Sequence, residues 1–277
     1  MTWQTWQTWP RPLGADRPIA LLGAAGKTGR AVAAALVAAG VPWESIRPLV
    51  RAGREGPGER GVDLDDDASV CAAVAGAGAI HLLAPNLHPD EPGIVRRAVA
   101  AADAGGVRRI VYHSVLRPGV RAMPHHWHKL EAEELLWGSG LDVTVLQPSA
   151  YAQNLVSCVR GGRLVVPYAV DVPFSLVDLA DVAEVAARML TEPGHEAATY
   201  ELAGPVTTIA ALAGRLGLDA RRDRPPQGPP AGYPAAALQA MFDWYDRCGL
   251  PGNPGVLGWL LDRPPRDPAD VLRQVLP

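Results

Sequence analysis

Three glycines spaced three apart, Gly23, Gly26 and Gly29, stand in Leu21-Leu22-Gly23-Ala24-Ala25-Gly26-Lys27-Thr28-Gly29-Arg30, between an apolar run and an Ala-rich stretch. Glycines at a strand-to-helix turn let the backbone bend tightly and approach a pyrophosphate. The helix start then offers unpaired N–H groups and partial positive charge to the same anion. The pattern therefore predicts dinucleotide binding, with Lys27 and Thr28 beside the phosphates. Gly26-Lys27-Thr28 also looks like the end of an NTPase phosphate loop, but that loop needs glycine five residues before Gly26, where Leu21 stands.

A site for NAD places Asp or Glu about 20 residues beyond the glycines, to bind both ribose hydroxyls. Here Leu49-Val50-Arg51-Ala52-Gly53-Arg54 offers two guanidinium groups instead. Planar guanidinium suits a 2′-phosphate, so Arg51 and Arg54 predict NADP(H) in preference to NAD(H). The plainer reading is two solvated surface arginines.

Candidates for acid–base work lie further on. Of 26 cationic residues only Lys27 and Lys129 are lysine, and a lysine kept in an Arg-rich chain suggests a need for a compact ammonium. Against this stands a solvated Lys129 in the first turn of a helix, paired with Glu133 one turn on. Pro124-His125-His126-Trp127-His128 precedes it; His125 or His126 could act as general acid, or the stretch could be an exposed loop with one histidine capping the helix. Adjacent histidines without a nearby Cys make a poor metal site, and none is assigned. Ser114, ending a predicted strand, could donate to a substrate carbonyl or cap the next turn. Tyr151 and Asn154, after the next strand, should face the same crevice, more as wall than as proton donors. Arg96-Arg97 and Arg108-Arg109 read as solvated helix and strand ends.

These residues require a frame that brings strand ends together. From Pro18 short apolar runs alternate with helical stretches, the rhythm of βαβ units and a parallel sheet buried on both faces. Strands are expected at 19–22, 46–50, 62–64, 79–83, 109–113 and 142–146, with helices at 26–39, 68–75, 92–104 and 129–138. The fold class is α/β, a doubly wound parallel sheet (Rossmann) with a smaller C-terminal α/β substrate lobe. Later strands are expected at 163–167, 174–176 and 198–202, and helices at 179–190, 208–216 and 235–247, with two short helices at the end. The expected organisation is an N-terminal arm at 1–17, a dinucleotide domain at 18–157, and a lobe at 158–277 partly interleaved with it. A proline-rich segment at 221–234 reads as a loop, hinge or lid.

The 277 residues carry 48% hydrophobic residues and a formal charge of −3, which offers no general attraction to nucleic acid or an anionic membrane. Cys71, Cys158 and Cys248 are far apart, and reduced, half-buried thiols are expected. The apolar stretch 31–41 falls short of the roughly 20 residues of a membrane span, and no signal-peptide pattern opens the chain. A cytoplasmic protein with a small-molecule substrate is expected. The TWQ repeat with Trp3, Trp6 and Trp9 reads either as a poorly ordered arm or as a docking arm for a homodimer or partner protein.

Taken in order along the chain, Gly23-Gly26-Gly29, Asp63-Leu64-Asp65-Asp66, Val111-Tyr112-His113-Ser114-Val115, His128-Lys129-Leu130-Glu131, Leu146-Gln147-Pro148 with Tyr151 and Asn154, Phe174 to Asp178 with Asp181, and the segment from Tyr245 to Pro265 resemble the NmrA-like, atypical short-chain dehydrogenase/reductase family. The resemblance implies an NADP(H) pocket. The glycine turn would hold the phosphates, Arg51 the 2′-phosphate, and Asp63 and Leu64 would lie beside the adenine. Leu83, Ala84 and Pro85 would lie near the ribose, Lys129 near the nicotinamide ribose, and Pro148, Ser149, Ala150 and Tyr151 beside the nicotinamide. Such families include quinone and alkene reductases and also redox sensors without turnover. Ordinary short-chain reductases use Tyr-x-x-x-Lys, yet none of the six tyrosines here has Lys four residues on. Three functions stay open: an NADPH-dependent reductase of a small apolar carbonyl, quinone, imine or conjugated alkene; a non-catalytic NADP(H) sensor; and a non-redox cyclase or isomerase. Richness in Ala, Gly, Pro and Arg resembles high-GC coding, where such reductases tailor secondary metabolites.

Overall fold

The computed structural model describes residues 17–224 and 230–276. The N-terminal TWQ repeat and prolines 225, 226 and 229 of the expected lid lie outside the described residues.

Seven strands form one parallel sheet: β1 (Ile19–Leu22), β2 (Ile46–Arg51), β3 (Arg60–Val62), β4 (Ala79–Leu82), β5 (Arg109–His113), β6 (Asp142–Pro148) and β10 (Ala198–Leu202), in the order β10-β6-β5-β4-β1-β2-β3. Every pairing is parallel, so all strands point their carboxyl ends to one edge. The order reverses beside β1, and in a doubly wound sheet ligands bind in the crevice outside that reversal. This is the Rossmann architecture.

β1, β4, β5 and β6 are buried along their whole length, which is why they read as apolar runs. Alternate residues point to opposite faces. Ile19, Leu21, Ala79 and Val111 pack under α1 (Lys27–Ala38) and α5 (Leu179–Thr191). Ala20, Leu22, Ile80, Ile110 and Tyr112 pack under α2 (Asp67–Val74), α3 (Glu91–Ala104) and α4 (Pro124–Trp137).

Outside the large sheet a second group forms a three-stranded sheet, β12 (Asp219–Arg222), β8 (Arg163–Val166) and β7 (Val159–Arg160), and the pair β9 (Pro173–Phe174) and β11 (Thr207–Thr208). With α6 (Ile209–Arg215), α7 (Gly232–Cys248), α8 (Pro254–Leu261) and α9 (Pro268–Val275), these make the smaller α/β lobe. Its core joins Leu164, Tyr168, Phe174, Leu212, Tyr245 and Leu272. The chain crosses back between the two groups: α5 and β10 belong to the large sheet's layers. Buried Asp181 on α5 holds the C-terminal segment by accepting from Arg263 at 2.8 Å and Arg266 at 2.6 Å.

Several expectations need correcting. Helix α4 begins at Pro124, not at Lys129, so the histidines form its first turn rather than a preceding loop. Proline at the first helical position has a fixed φ suited to a helix start and no N–H to leave unsatisfied. Strand β3 ends at Val62, leaving Asp63 and Leu64 in the following turn. Arg109 is not a solvated strand end: it is 2% exposed and pairs with buried Glu196, and its guanidinium donates to the Glu192 carbonyl at 2.8 Å. Of the three thiols only Cys158 is half-buried; Cys71 and Cys248 are exposed.

Candidate functional site

The turn after β1 has the shape an anion needs. Gly23 has φ +72°, a backbone conformation that L side chains rarely adopt, and a Cβ there would press on the Leu83 side chain at 3.3 Å. At Gly29 a Cβ would lie 2.3 Å from the Gly23 carbonyl oxygen and 2.6 Å from the Ala24 Cα, so glycine is what lets α1 pack against the turn. The start of α1 has no side-chain cap and no acidic residue in its first turn. By contrast, Asp66, Asp90, Asp178, Asn253 and Asp267 accept backbone N–H bonds at the starts of α2, α3, α5, α8 and α9. Among the described helices α1, α4 and α7 start without a side-chain cap, and of these α1 is the one that opens over a glycine turn at the sheet's switch point. Free N–H groups and helix dipole there favour a pyrophosphate.

The other cofactor candidates lie along the same carboxyl edge. Arg51 ends β2 and is exposed, as is Arg54 in the turn that follows. Among the described residues neither makes an ion pair, so both guanidinium groups are open to an incoming anion. Asp63 and Leu64 follow β3; the Asp63 carboxylate accepts from the Asp65 N–H at 3.0 Å and is exposed, and Leu64 is half-buried. Leu83, Ala84 and Pro85 follow β4, with Leu83 against Gly23. Pro148 ends β6, and the Ser149 hydroxyl is buried with no partner among the described residues. Lys27, whose ammonium partial burial pushes down, reaches the Asn154 amide oxygen and lies 5.5 Å from the centre of the Tyr151 ring.

The acid–base candidates separate into two groups on opposite faces of the sheet. On the α3/α4 face, Lys129 is buried. It donates to the His113 carbonyl at 2.9 Å, and its ammonium lies 2.6 Å from the Glu91 carboxylate on α3 and 5.2 Å from the centre of the Tyr112 ring. The expected solvated pairing with Glu133 does not occur. Glu133 instead accepts from the Ser114 hydroxyl and from the Gln147 amide at 2.9 and 3.0 Å, and burial pushes its carboxyl up. Ser114 thus spends its only O–H on Glu133 and keeps none for a substrate carbonyl. Tyr112 donates to Glu91 at 2.7 Å.

The paired histidines are buried, contrary to the exposed-loop expectation, and neither caps the helix. Burial pushes His125 down to about 3 and His126 to about 4, with Lys129 adding to the effect. Both rings are neutral near pH 7 and hold no imidazolium proton to give.

On the α1/α5 face lies a group that sequence reasoning missed. His113, the last residue of β5, places Nε2 2.6 Å from the Tyr151 hydroxyl, and the His81 ring of β4 stands edge-on behind it at 5.6 Å. His81 is paired in register with Val111, so His113 sits two residues beyond it on the same face. Both histidines are fully buried, and burial holds His81 down to about 4 and His113 well below its ordinary value. Among the described residues neither nitrogen of His81 nor Nδ1 of His113 has a partner. The available signal was a histidine at the carboxyl end of one buried strand and another inside its neighbour. Each reads as a lone polar residue in an apolar run, so neither stood out.

The parallel sheet, its switch point and the glycine cradle under the start of α1 define a Rossmann-fold dinucleotide site, and the likeness to known proteins makes the chain an NAD(P)H-dependent oxidoreductase. The chain belongs to the NAD(P)H-binding family, whose model matches residues 23–193. It is 29% identical over 209 residues to quinone oxidoreductase 2 of Escherichia coli, covering 72% of this chain and 73% of that protein. It is 32% identical over 200 residues to (4-alkanoyl-5-oxo-2,5-dihydrofuran-3-yl)methyl phosphate reductase of Streptomyces griseus, covering 69% and 70%. The crystal structure of an NADPH-dependent quinone oxidoreductase from Escherichia coli complexed with NADPH is similar with a TM-score of 0.79 and 26% identity, covering 93% of this chain and 99% of that one. Among the described residues no helix is long and apolar enough to cross a membrane.

Proposed function

We propose that the protein is an NmrA-like, atypical short-chain reductase that uses NADPH, in preference to NADH, to reduce a small apolar carbonyl, quinone, imine or conjugated alkene, in secondary metabolism. The observation that carries this reading is the uncapped start of α1 over the glycine turn, flanked at the end of β2 by Arg51 where an NAD site would present an acid. When bound, the nicotinamide supplies hydride. The chain's residues bind and orient it.

In this reading the α1 N–H groups with Gly23, Gly26, Thr28 and Gly29 hold the pyrophosphate, and Arg51 and Arg54 the 2′-phosphate. Asp63 and Leu64 flank the adenine, and Leu83, Ala84 and Pro85 the ribose. Lys129 serves the nicotinamide ribose from a fixed position, because Glu91 and the His113 carbonyl already hold its ammonium. Pro148, Ser149 and Tyr151 border the nicotinamide. The lobe formed chiefly by residues 158–277 covers the substrate.

NADPH fluorescence on titration, followed by NADPH consumption with a panel of quinones, enones and imines, tests the reading. Saturable binding and oxidation with at least one class is the expected outcome. Binding without consumption would favour a redox sensor, and substrate conversion without net cofactor change would favour an isomerase or cyclase.

A further inference from the structure

We propose that Tyr151 is the catalytic residue that gives the substrate its proton, and that His113 positions it by donating Nε2–H to the phenolic oxygen. The proposal rests on the reductase reading above and supplies the acid that the missing Tyr-x-x-x-Lys pattern leaves unassigned.

The other candidates are already committed. Ser114 has committed its proton to Glu133, Lys129 is locked between Glu91 and a carbonyl, and His125 and His126 are buried neutral rings. Tyr151 differs in each respect. It follows β6 at the sheet's carboxyl edge, is half-buried as a residue although its phenol is buried, and pairs its backbone with Val177, which fixes the ring's origin. Burial pushes its phenol up, partly offset by the Thr28 hydroxyl beside it, so the proton is present near neutral pH. The Lys27 ammonium lies 5.5 Å from the centre of the ring and is tethered by the Asn154 amide oxygen.

The tautomer of His113 decides whether that proton is available. If Nδ1 carried the hydrogen, Nε2 would accept the phenol's O–H and turn it inward, and a buried Nδ1–H would stand without an acceptor. If Nε2 carries it, the phenol oxygen accepts, the phenol O–H is not spent on His113 and is left for the Thr28 hydroxyl or substrate, and the orphan is only a lone pair on Nδ1. Buried N–H groups without partners are rarer and costlier than unsatisfied acceptors. The neutral Nε2–H form is therefore the one this pocket selects, and His81 behind it offers no hydrogen bond to reverse the choice.

The step balances. For a carbonyl, the electrophilic carbon takes hydride, the π pair moves onto oxygen, and that oxygen takes the Tyr151 proton. The phenolate left behind accepts from His113 Nε2–H, with the Lys27 ammonium 5.5 Å from the ring centre, and a solvent proton restores the phenol after product leaves. NADPH is oxidised by two electrons and the substrate reduced by two.

Nitrogen-15 NMR of the cofactor-free protein reads the tautomer directly. We expect His113 protonated on Nε2, with that resonance shifted in Tyr151→Phe; protonation on Nδ1 would overturn the proposal whatever the activity. Kinetics with NADPH and menadione give the second arm. Tyr151→Phe and His113→Phe should each lower kcat about 100-fold with the NADPH dissociation constant unchanged within about twofold. His113→Gln, which still carries an N–H donor, should recover much of the loss. Undiminished kcat in Tyr151→Phe would refute the proton donor while leaving the reductase reading standing. A wild-type protein that binds NADPH but oxidises none with any quinone, enone or imine of the panel would take down both.

Discussion

Lys129 shows what a single buried side chain does in this site. Its ammonium neutralises Glu91, which is fully buried and also receives the Tyr112 hydroxyl. Removing one partner of a buried pair leaves an uncompensated charge and costs about 3–5 kcal/mol, whereas removing both can be nearly neutral. Lys129→Met should therefore unfold at clearly lower denaturant than wild type, and Lys129→Met with Glu91→Gln should regain most of the loss. A single variant as stable as wild type would mean that the pair is not formed in solution. The sequence made Lys129 conspicuous by its rarity among arginines but gave no hint of its partner. Glu91 lies 38 positions earlier, on a different helix, and only the packing of α3 against α4 joins them.

At the scale of elements, β1, β2, β4, β5 and β6 were legible because parallel strands buried on both faces are largely apolar and are punctuated by Gly, Pro and Asp, whereas the short, mostly exposed β3 was displaced by two residues. The cradle after β1 was legible for the same reason, since its glycines answer a local steric demand. Less was visible where chemistry interrupts periodicity. The histidine-rich start of α4 carries no amphipathic pattern, and β10 reads as a strand without revealing that it closes the edge of the main sheet beside β6. His81 and His113 were hidden inside apolar strands. The α1–β1 junction yields a direct test. Gly29→Ala places a methyl 2.3 Å from the Gly23 carbonyl, and overpacking of this kind costs about 1–3 kcal/mol. We expect a lowered melting temperature together with weakened NADPH binding, because the helix start must retreat from the turn. Wild-type values for both would show that the junction is looser than described.

For the whole molecule, the buried neutral histidines set the response to acid. His81, His125 and His126 titrate at about 4, 3 and 4 in the folded protein, and His113 is also held well below its ordinary 6.5. The unfolded chain takes up these protons near 6.5, so between about 4 and 6.5 it binds more protons than the native state. Their contribution to stability is complete above pH 6.5 and is lost as pH falls, by up to about 1.4 kcal/mol per pH unit for each ring. The melting temperature should be flat from pH 7 to 8 and lower by at least about 5 °C at pH 5.5. A profile unchanged down to pH 5 would place these rings in water. The same burial ties the two faces together, since the carbonyl of His113 receives Lys129 while its ring meets Tyr151.

Isothermal calorimetry of NADPH and NADH against wild type and Arg51→Ala tests the central claim, that a bare helix start and a guanidinium at the end of β2 form an NADP(H) site. Wild type should bind NADPH at least about tenfold more tightly than NADH, a difference of about 1.4 kcal/mol or more, and Arg51→Ala should erase most of that margin while barely changing NADH. Equal affinity for the two coenzymes in wild type, or equal loss of both in the variant, would contradict it.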